Sequence, residues 1–306
     1  MKFSIYKESR QGARELNEDR LGYCYSRDAL MMVVADGMGG HLHGEVAAQI
    51  AVQFLTEAFQ CEAGPKLSDP FLFLLKNMTS AHHAIRDYAE VRGLLETPRT
   101  TCVAAIVQDS TAWWAHVGDS RLYHIRSGRI HSRTKDHSRV QMLIDQGRVR
   151  EEAAGAHPER NKIFSCLGAI ASPQIDLSRK VRLARGDTLL LCTDGLWESI
   201  SARALCTELL RSDIMVAIPR LLDMAEVRAG EGCDNLSVIA MTWAGEGAEA
   251  HAEQVSTQTL EVNAFNTAVE EFGKPAAGQD HGDLSEEEIE RAIAEIRNAI
   301  QKQTGK

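Results

Sequence analysis

Residues 29–36 read ALMMVVAD, an apolar run of strand length that closes on a carboxylate, with Gly37, Gly39 and Gly40 packed in behind it. The run predicts a buried strand, and the glycines after it allow either a sharp turn or a close approach of the main chain to a ligand. Helical spacing follows. Val46, Ala47, Ile50, Ala51, Phe54, Leu55, Ala58 and Phe59 predict one helix, and Leu74, Leu75, Met78, Ala81, Ile85 and Tyr88 predict a second. The period then shortens: TTCVAAIV (100–107), TAWWAHVGD (111–119) and SRLYHIRSGRIHSRT (120–134) are β-branched, aromatic or alternating, with Ser127-Gly128 placed as a hairpin turn. DTLLLCTDGLWE (187–198) repeats the opening theme of an apolar run ending in Asp-Gly. Two helical patterns, 201–211 and 214–229, precede a last strand in NLSVIAMTW (235–243). Strands, helices, strands, helices, strand predicts an α+β protein built in layers and not a βαβ repeat.

Two stretches break this rhythm. Segment 139–172 is polar and poor in β-branched residues, and reads as a mobile excursion from the core. Residues 244–283 carry few large apolar side chains and are expected to be largely disordered. Beyond them, Ser285 and Glu288 form a capping box, and Ile289, Ile293, Ile296 and Ile300 line one face of a helix expected over 285–303. That helix either packs back on the domain or serves docking or self-association. The chain therefore divides into a domain over 1–245 and a tail over 246–306.

Composition narrows the class. With 306 residues, 44% hydrophobic and 25% charged, the chain has room for one large domain or two smaller ones, and wholesale disorder is excluded. The N-terminus lacks the apolar core of a signal peptide, and the longest apolar stretch falls far short of the roughly 20 residues a membrane helix needs, so a soluble protein without membrane insertion is expected. Seven scattered cysteines without a C-x-x-C pair fit neither a disulfide framework nor a zinc site, and a reducing cytoplasm is the simplest setting. Of the net charge of −9, the tail carries most, with 13 acidic against 5 basic residues from Glu246 onward. The nearly neutral body, without a basic tract, argues against nucleic-acid binding.

The candidate chemistry lies in carboxylates. Asp36, Asp119 (VGDSR), Asp194 (TDGLWE) and Asp234 (CDNLSV) each stand where an apolar stretch meets a loop, and the acidic pair Glu18-Asp19 follows Arg14. Singly, each reads as a turn former or loop cap. Burying several together is costly unless cations neutralise them. Their hard oxygen donors suit Mg²⁺ or Mn²⁺, and two such ions about 3.5–4 Å apart share a bridging water and neutralise phosphate oxygens during in-line displacement, with no protein nucleophile.

The series RELNED (14–19), ADGMGGH (35–41), VGDSR (117–121), DHS (136–138), TDGLWE (193–198) and CDNLSVI (233–239) resembles the ordered motifs of the bacterial PP2C, or PPM, metal-dependent Ser/Thr protein phosphatases, over about residues 3–243. The resemblance implies a four-layer αββα sandwich, two antiparallel sheets flanked by helices, with a metal cleft at one end. It makes Asp36 the carboxylate bridging two Mn²⁺ or Mg²⁺ ions, with the Gly37 carbonyl on one of them and Asp194 and Asp234 on the other. Glu18 and Asp19 match the pair that holds metal-bound waters. Arg14 matches the arginine that takes the substrate phosphate, its other reading being a surface salt bridge to Glu18. Asp119 matches the aspartate of a third, weaker metal, sharing Asp194, and otherwise reads as a buried turn residue. Some members carry a histidine directly after Asp-Gly as general acid. Here that place is Met38, so His41 either serves the site, orienting a water or substrate, or begins the helix. Arg99 stands where relatives often have glycine, and 139–172 matches the family's flap, expected to touch substrate.

The implied activity is hydrolysis of phosphoserine and phosphothreonine in proteins by a metal-bridging water, opposing a bacterial Ser/Thr kinase, with kinases or forkhead-associated-domain proteins as partners. The tail, outside the resemblance, is expected to tether the enzyme to such a partner. Two other readings share the motifs: a non-catalytic phosphoprotein-binding pseudoenzyme, and a hydrolase of small phosphate esters.

Overall fold

The computed structural model describes residues 1–38, 43–150, 153–154, 157–245 and 266–269. The strands are β1 (Lys2–Arg10), β2 (Arg20–Tyr25), β3 (Ala29–Ala35), β4 (Gly37–Met38), β5 (Arg99–Thr100), β6 (Cys102–Gln108), β7 (Thr111–Val117), β8 (Arg121–Arg126), β9 (Arg129–Arg133), β10 (Asp176–Leu177), β11 (Val181–Arg182), β12 (Thr188–Cys192), β13 (Leu236–Gly245) and β14 (Asn266–Val269). The helices are α1 (Gly44–Glu62), α2 (Pro70–Arg92), α3 (Arg139–Asp145), α4 (Asp194–Ser199), α5 (Ala202–Arg211) and α6 (Ile214–Ala229).

Two large antiparallel sheets form, one in the order β1-β13-β12-β8-β9 and the other β10-β7-β6-β3-β2-β14, with β11 also on β7, and β4 pairs with β5 in a small sheet of two strands. Three apolar clusters define four layers. Between the sheets lie Leu30, Met32, Val34, Val103, Val107, Leu189, Leu191, Ile239, Met241 and Trp243. Alternate residues of the same strands, such as Met31, Val33 and Ile106, face α1 and α2 on one outer side. Leu190, Cys192, Val238 and Ala240 face α4, α5 and α6 on the other. Central strands covered on both faces bury every residue, which is why β3, β6 and β12 read as continuous apolar runs without alternation.

Helix ends follow local chemistry. Asp69 accepts from the N–H groups of Phe71 and Leu72 ahead of Pro70, and Gly93 closes α2 at φ 63°. Ser138, Ser201 and Asp213 cap α3, α5 and α6 in the same way. Ser127 and Gly128 take φ 51° and 69° at the expected hairpin between β8 and β9.

The hydrophobic pattern left out β1, where Phe3 and Ile5 pack inward but alternate with charged or hydroxyl neighbours on a half-exposed strand, and β2, whose mostly buried RLGYCY carries an arginine and a glycine among its apolar residues. The stretch expected to be largely disordered contains β14, which pairs antiparallel with β2 from Asn266↔Tyr25 to Val269↔Gly22. Its backbone covers an edge that side-chain pattern does not reveal. Segment 139–172 is tied down at both limbs: α3 opens it, and Ser138 bridges Ile163 while Thr100 bridges Leu167. The helix expected over 285–303 lies outside the described residues.

Candidate active site

Strand register brings the carboxylates together. Asp36 follows β3 and Asp19 precedes β2, where Arg20 pairs with Ala35; Asp119 follows β7, whose Val117 pairs with Cys102 at the start of β6. In the other sheet, Asp194 follows β12 and Asp234 precedes β13, where Cys192 pairs with Val238. All five therefore stand at one end of the sandwich.

Their electrostatics show mutual proximity. Burial raises the Asp36 carboxyl well above its ordinary value, and repulsion from Asp194, Asp19, Asp119 and Asp234 adds to it. Burial and the Asp194 charge raise Asp119 likewise. Asp194 is pushed up to about 7 by burial and by Asp234, and Asp19 to about 8 by burial with Asp194 and Asp234 adding. Glu18 rises to about 7 through burial and the neighbouring Glu45. The Asp119 Oδ1 atom is buried with no hydrogen-bond partner. A cluster of crowded, desolvated oxygen donors with an orphaned carboxylate oxygen fits divalent cations such as Mg²⁺ or Mn²⁺.

Backbone contacts hold each ligand type in place. The Asp36 carbonyl accepts from Thr101 N–H at 2.9 Å and Thr100 Oγ1 at 2.8 Å, while Asp36 N–H donates to Thr101 Oγ1 at 3.1 Å. Gly37 N–H donates to the Glu18 carbonyl at 3.2 Å. A Cβ on Gly37 would sit 2.4 Å from the Gly44 backbone and 2.7 Å from the Glu18 carbonyl oxygen, so this glycine serves close approach of three chain segments. Asp19 accepts from Thr193 Oγ1 at 2.8 Å. The turn carrying Asp119 is held by Trp197, whose Nε1 donates to the Asp119 carbonyl at 3.0 Å. Arg121 lies 3.5 Å over the Trp197 ring and binds both oxygens of Asp136.

Arg14 pairs with Asp234 and not with Glu18: Nη2 reaches Oδ2 at 2.6 Å, and the Arg14 side chain stays 60% exposed. Arg99 is exposed and pairs through its backbone with Met38. His41, with Gly39 and Gly40, lies outside the described residues.

Asn235 has a role that the sequence reading did not assign. Its Oδ1 accepts from Glu18 N–H at 2.9 Å, and its Nδ2 donates to the carbonyls of Gln11 at 2.8 Å and Leu16 at 2.9 Å. One side chain thus staples the Arg14–Glu18 loop to Asp234. Its position next to Asp234 was a signal, but its partners lie more than 200 residues away in sequence and are invisible to local pattern.

Known proteins of one family resemble this chain in sequence and fold. The family model described as Protein phosphatase 2C matches residues 8–213. The Serine/threonine protein phosphatase PstP of Mycobacterium tuberculosis is 34% identical over 74% of this chain, which spans 42% of that protein's length. The Serine/threonine phosphatase stp of Listeria innocua is 32% identical over 76% of this chain and 93% of its own. The solved M. tuberculosis PstP structure superposes with TM-score 0.69 at 32% identity, covering 79% of this chain and 99% of that one. The PstP catalytic domain in complex with two manganese ions gives TM-score 0.64 at 30% identity, over 79% and 99%. With the family model matched over residues 8–213 and relatives 32–34% identical over about three quarters of its length, the chain belongs to the Protein phosphatase 2C family of metal-dependent protein serine/threonine phosphatases.

Proposed function

We propose that this chain removes phosphate from phosphoserine and phosphothreonine in proteins, using Asp36, Asp194 and Asp234, with the Gly37 carbonyl, to hold two Mn²⁺ or Mg²⁺ ions. The observation that carries the reading is the convergence of Asp19, Asp36, Asp119, Asp194 and Asp234 at one end of the sandwich, where burial and crowding raise the carboxyls of Asp19, Asp36, Asp119 and Asp194. Bound there, a pair of divalent cations supplies Lewis acidity to phosphate oxygens and lowers the pKa of water. Glu18 and Asp19 accept hydrogen bonds from water in the site, and Asp119, with its unpartnered Oδ1, holds a third and weaker cation with Asp194. Arg14 keeps one nitrogen on Asp234 and turns its free donors to the phosphate, so the guanidinium is oriented before substrate arrives. The return limb of 139–172, with Arg160 3.6 Å from Glu198 on α4, borders the entrance and contacts the phosphoprotein.

The phosphoproteins it acts on are the products of a bacterial Ser/Thr kinase, with kinases or forkhead-associated-domain proteins as the proposed partners. Free cysteines at all seven positions suit a cytoplasmic setting. No helix among the described residues is long and apolar enough to cross a membrane.

The test is hydrolysis of para-nitrophenyl phosphate and a phosphothreonine peptide with Mn²⁺, with Mg²⁺ and with chelator, beside Asp36→Asn. Metal-dependent release that the substitution abolishes, with preference for the peptide, supports the proposal. Preference for the small ester favours the ester-hydrolase reading, and metal-loaded, folded protein that releases phosphate from neither substrate favours the pseudoenzyme.

A further inference from the structure

Behind the Asp119 turn, His116, His137 and Asp176 place metal-ligand-type atoms within 4.8 Å of one another, and the two imidazoles stack at 4.7 Å. Hydrogen bonding argues against a cation there. Gly118 N–H donates to His137 Nδ1 at 3.2 Å, so the neutral ring carries its proton on Nε2, which faces Asp176 Oδ2 at 3.4 Å and has no lone pair to offer. His116 Nε2 lies 2.7 Å from the Lys135 carbonyl and is its donor.

The same contacts give His137 a different task. Its backbone N–H donates to the Gly118 carbonyl at 2.9 Å, so His137 grips residue 118 through both the carbonyl and the amide. Gly118 itself sits at φ +95°, with Thr101 Cγ2 only 2.6 Å from where a Cβ would be, so the turn has little room to shift. The His137 carbonyl accepts from Phe164 N–H at 2.9 Å, the Phe164 ring lies 5.6 Å from the imidazole, and Arg139 N–H donates to the Lys162 carbonyl at 2.8 Å. His137 is thus the shared node of the 162–164 limb and the turn that presents Asp119.

We infer that His137 is a positioning residue that clamps Gly118 and thereby couples the return limb of the 139–172 segment to the placement of Asp119. The inference rests on the proposed metal role of Asp119, while the clamp itself can be read without metal. Asn at 137 keeps an acceptor at the δ position; Gln offers one only at the ε position.

The experiment compares wild type, His137→Asn and His137→Gln as full chains. It reads the Gly118 amide resonance, Mn²⁺ affinity by calorimetry, and kcat and KM for para-nitrophenyl phosphate. In His137→Gln the Gly118 resonance should move upfield, affinity at the weakest Mn²⁺ site and kcat should each fall about tenfold, and KM should hold within about twofold. His137→Asn should restore the resonance and recover most of the lost affinity and kcat. Equal losses in the two variants, or none in either, overturn the clamp. Should neither variant fold, ¹⁵N-histidine spectra of wild type decide: a proton on Nε2 is expected, and one on Nδ1 overturns the inference. A zinc ion bound by wild type and lost in both variants would make Nε2 a ligand and also overturn it. Wild type without Mn²⁺-dependent phosphate release would reject the phosphatase reading separately, leaving the Gly118 resonance to judge the clamp.

Discussion

Asn235 is a residue whose loss should be felt out of proportion to its size. Replacing it with Ala frees one backbone N–H and two carbonyls of the 11–18 loop, which at about 1 kcal/mol per hydrogen bond predicts destabilisation of about 2–3 kcal/mol in urea melts. Mn²⁺ affinity should fall with it, because Glu18 and Arg14 lose their anchor. Gly37→Ala should cost a further kind of fit: its Cβ enters the space of the Gly44 backbone, and overpacking of about 1–3 kcal/mol is expected by thermal melting. Asp187 tests the acid side. Burial opposes its charge, but hydrogen bonds from Arg126, Ala184 N–H and His124 outweigh that cost and hold its carboxyl below the usual range. A depressed carboxyl contributes stability that is present above its unfolded pKa, near about 4, and is lost as pH falls through the folded value. Asp187→Asn should therefore cost about 2 kcal/mol at neutral pH, with the Tm gap to wild type narrowing below about pH 4.

At the scale of elements, β14 turns part of the acidic tail into an edge strand of the catalytic sheet. It runs antiparallel to β2 and ends at Val269 opposite Gly22, three residues from Asp19. The docking role expected of the tail has a direct test. Deleting 246–306 should leave hydrolysis of a small ester unchanged and slow action on a phosphoprotein. Equal loss of both activities would sink the docking role. Exposure of the β2 edge should also raise the chain's tendency to self-associate, checked by light scattering.

For the whole molecule, two sheets that end in like charges make the metal a folding partner. The repulsion written into Asp19, Asp36, Asp119 and Asp194 is relieved by cations that bind the folded chain, so Mn²⁺ should raise Tm and chelator should lower it. At about 100 times the dissociation constant, one site adds about 2.7 kcal/mol. A Tm indifferent to metal would contradict the proposed metal role of these residues.

The sequence by itself determined the layered α+β class, the helices at 44–62, 70–92, 202–211 and 214–229 to within a few residues, and the carboxylates worth watching. Hydrophobic period and strand-end acidity are local signals, carried by neighbours in the chain. Only tertiary structure decided that Arg14 pairs with Asp234, that Asn235 staples the 11–18 loop, that His137 grips Gly118 and that β14 joins β2. These depend on which strand ends and loops meet across the sheets. That is set by register and packing between segments that, in three of these four cases, lie more than 200 residues apart, which no window of sequence contains.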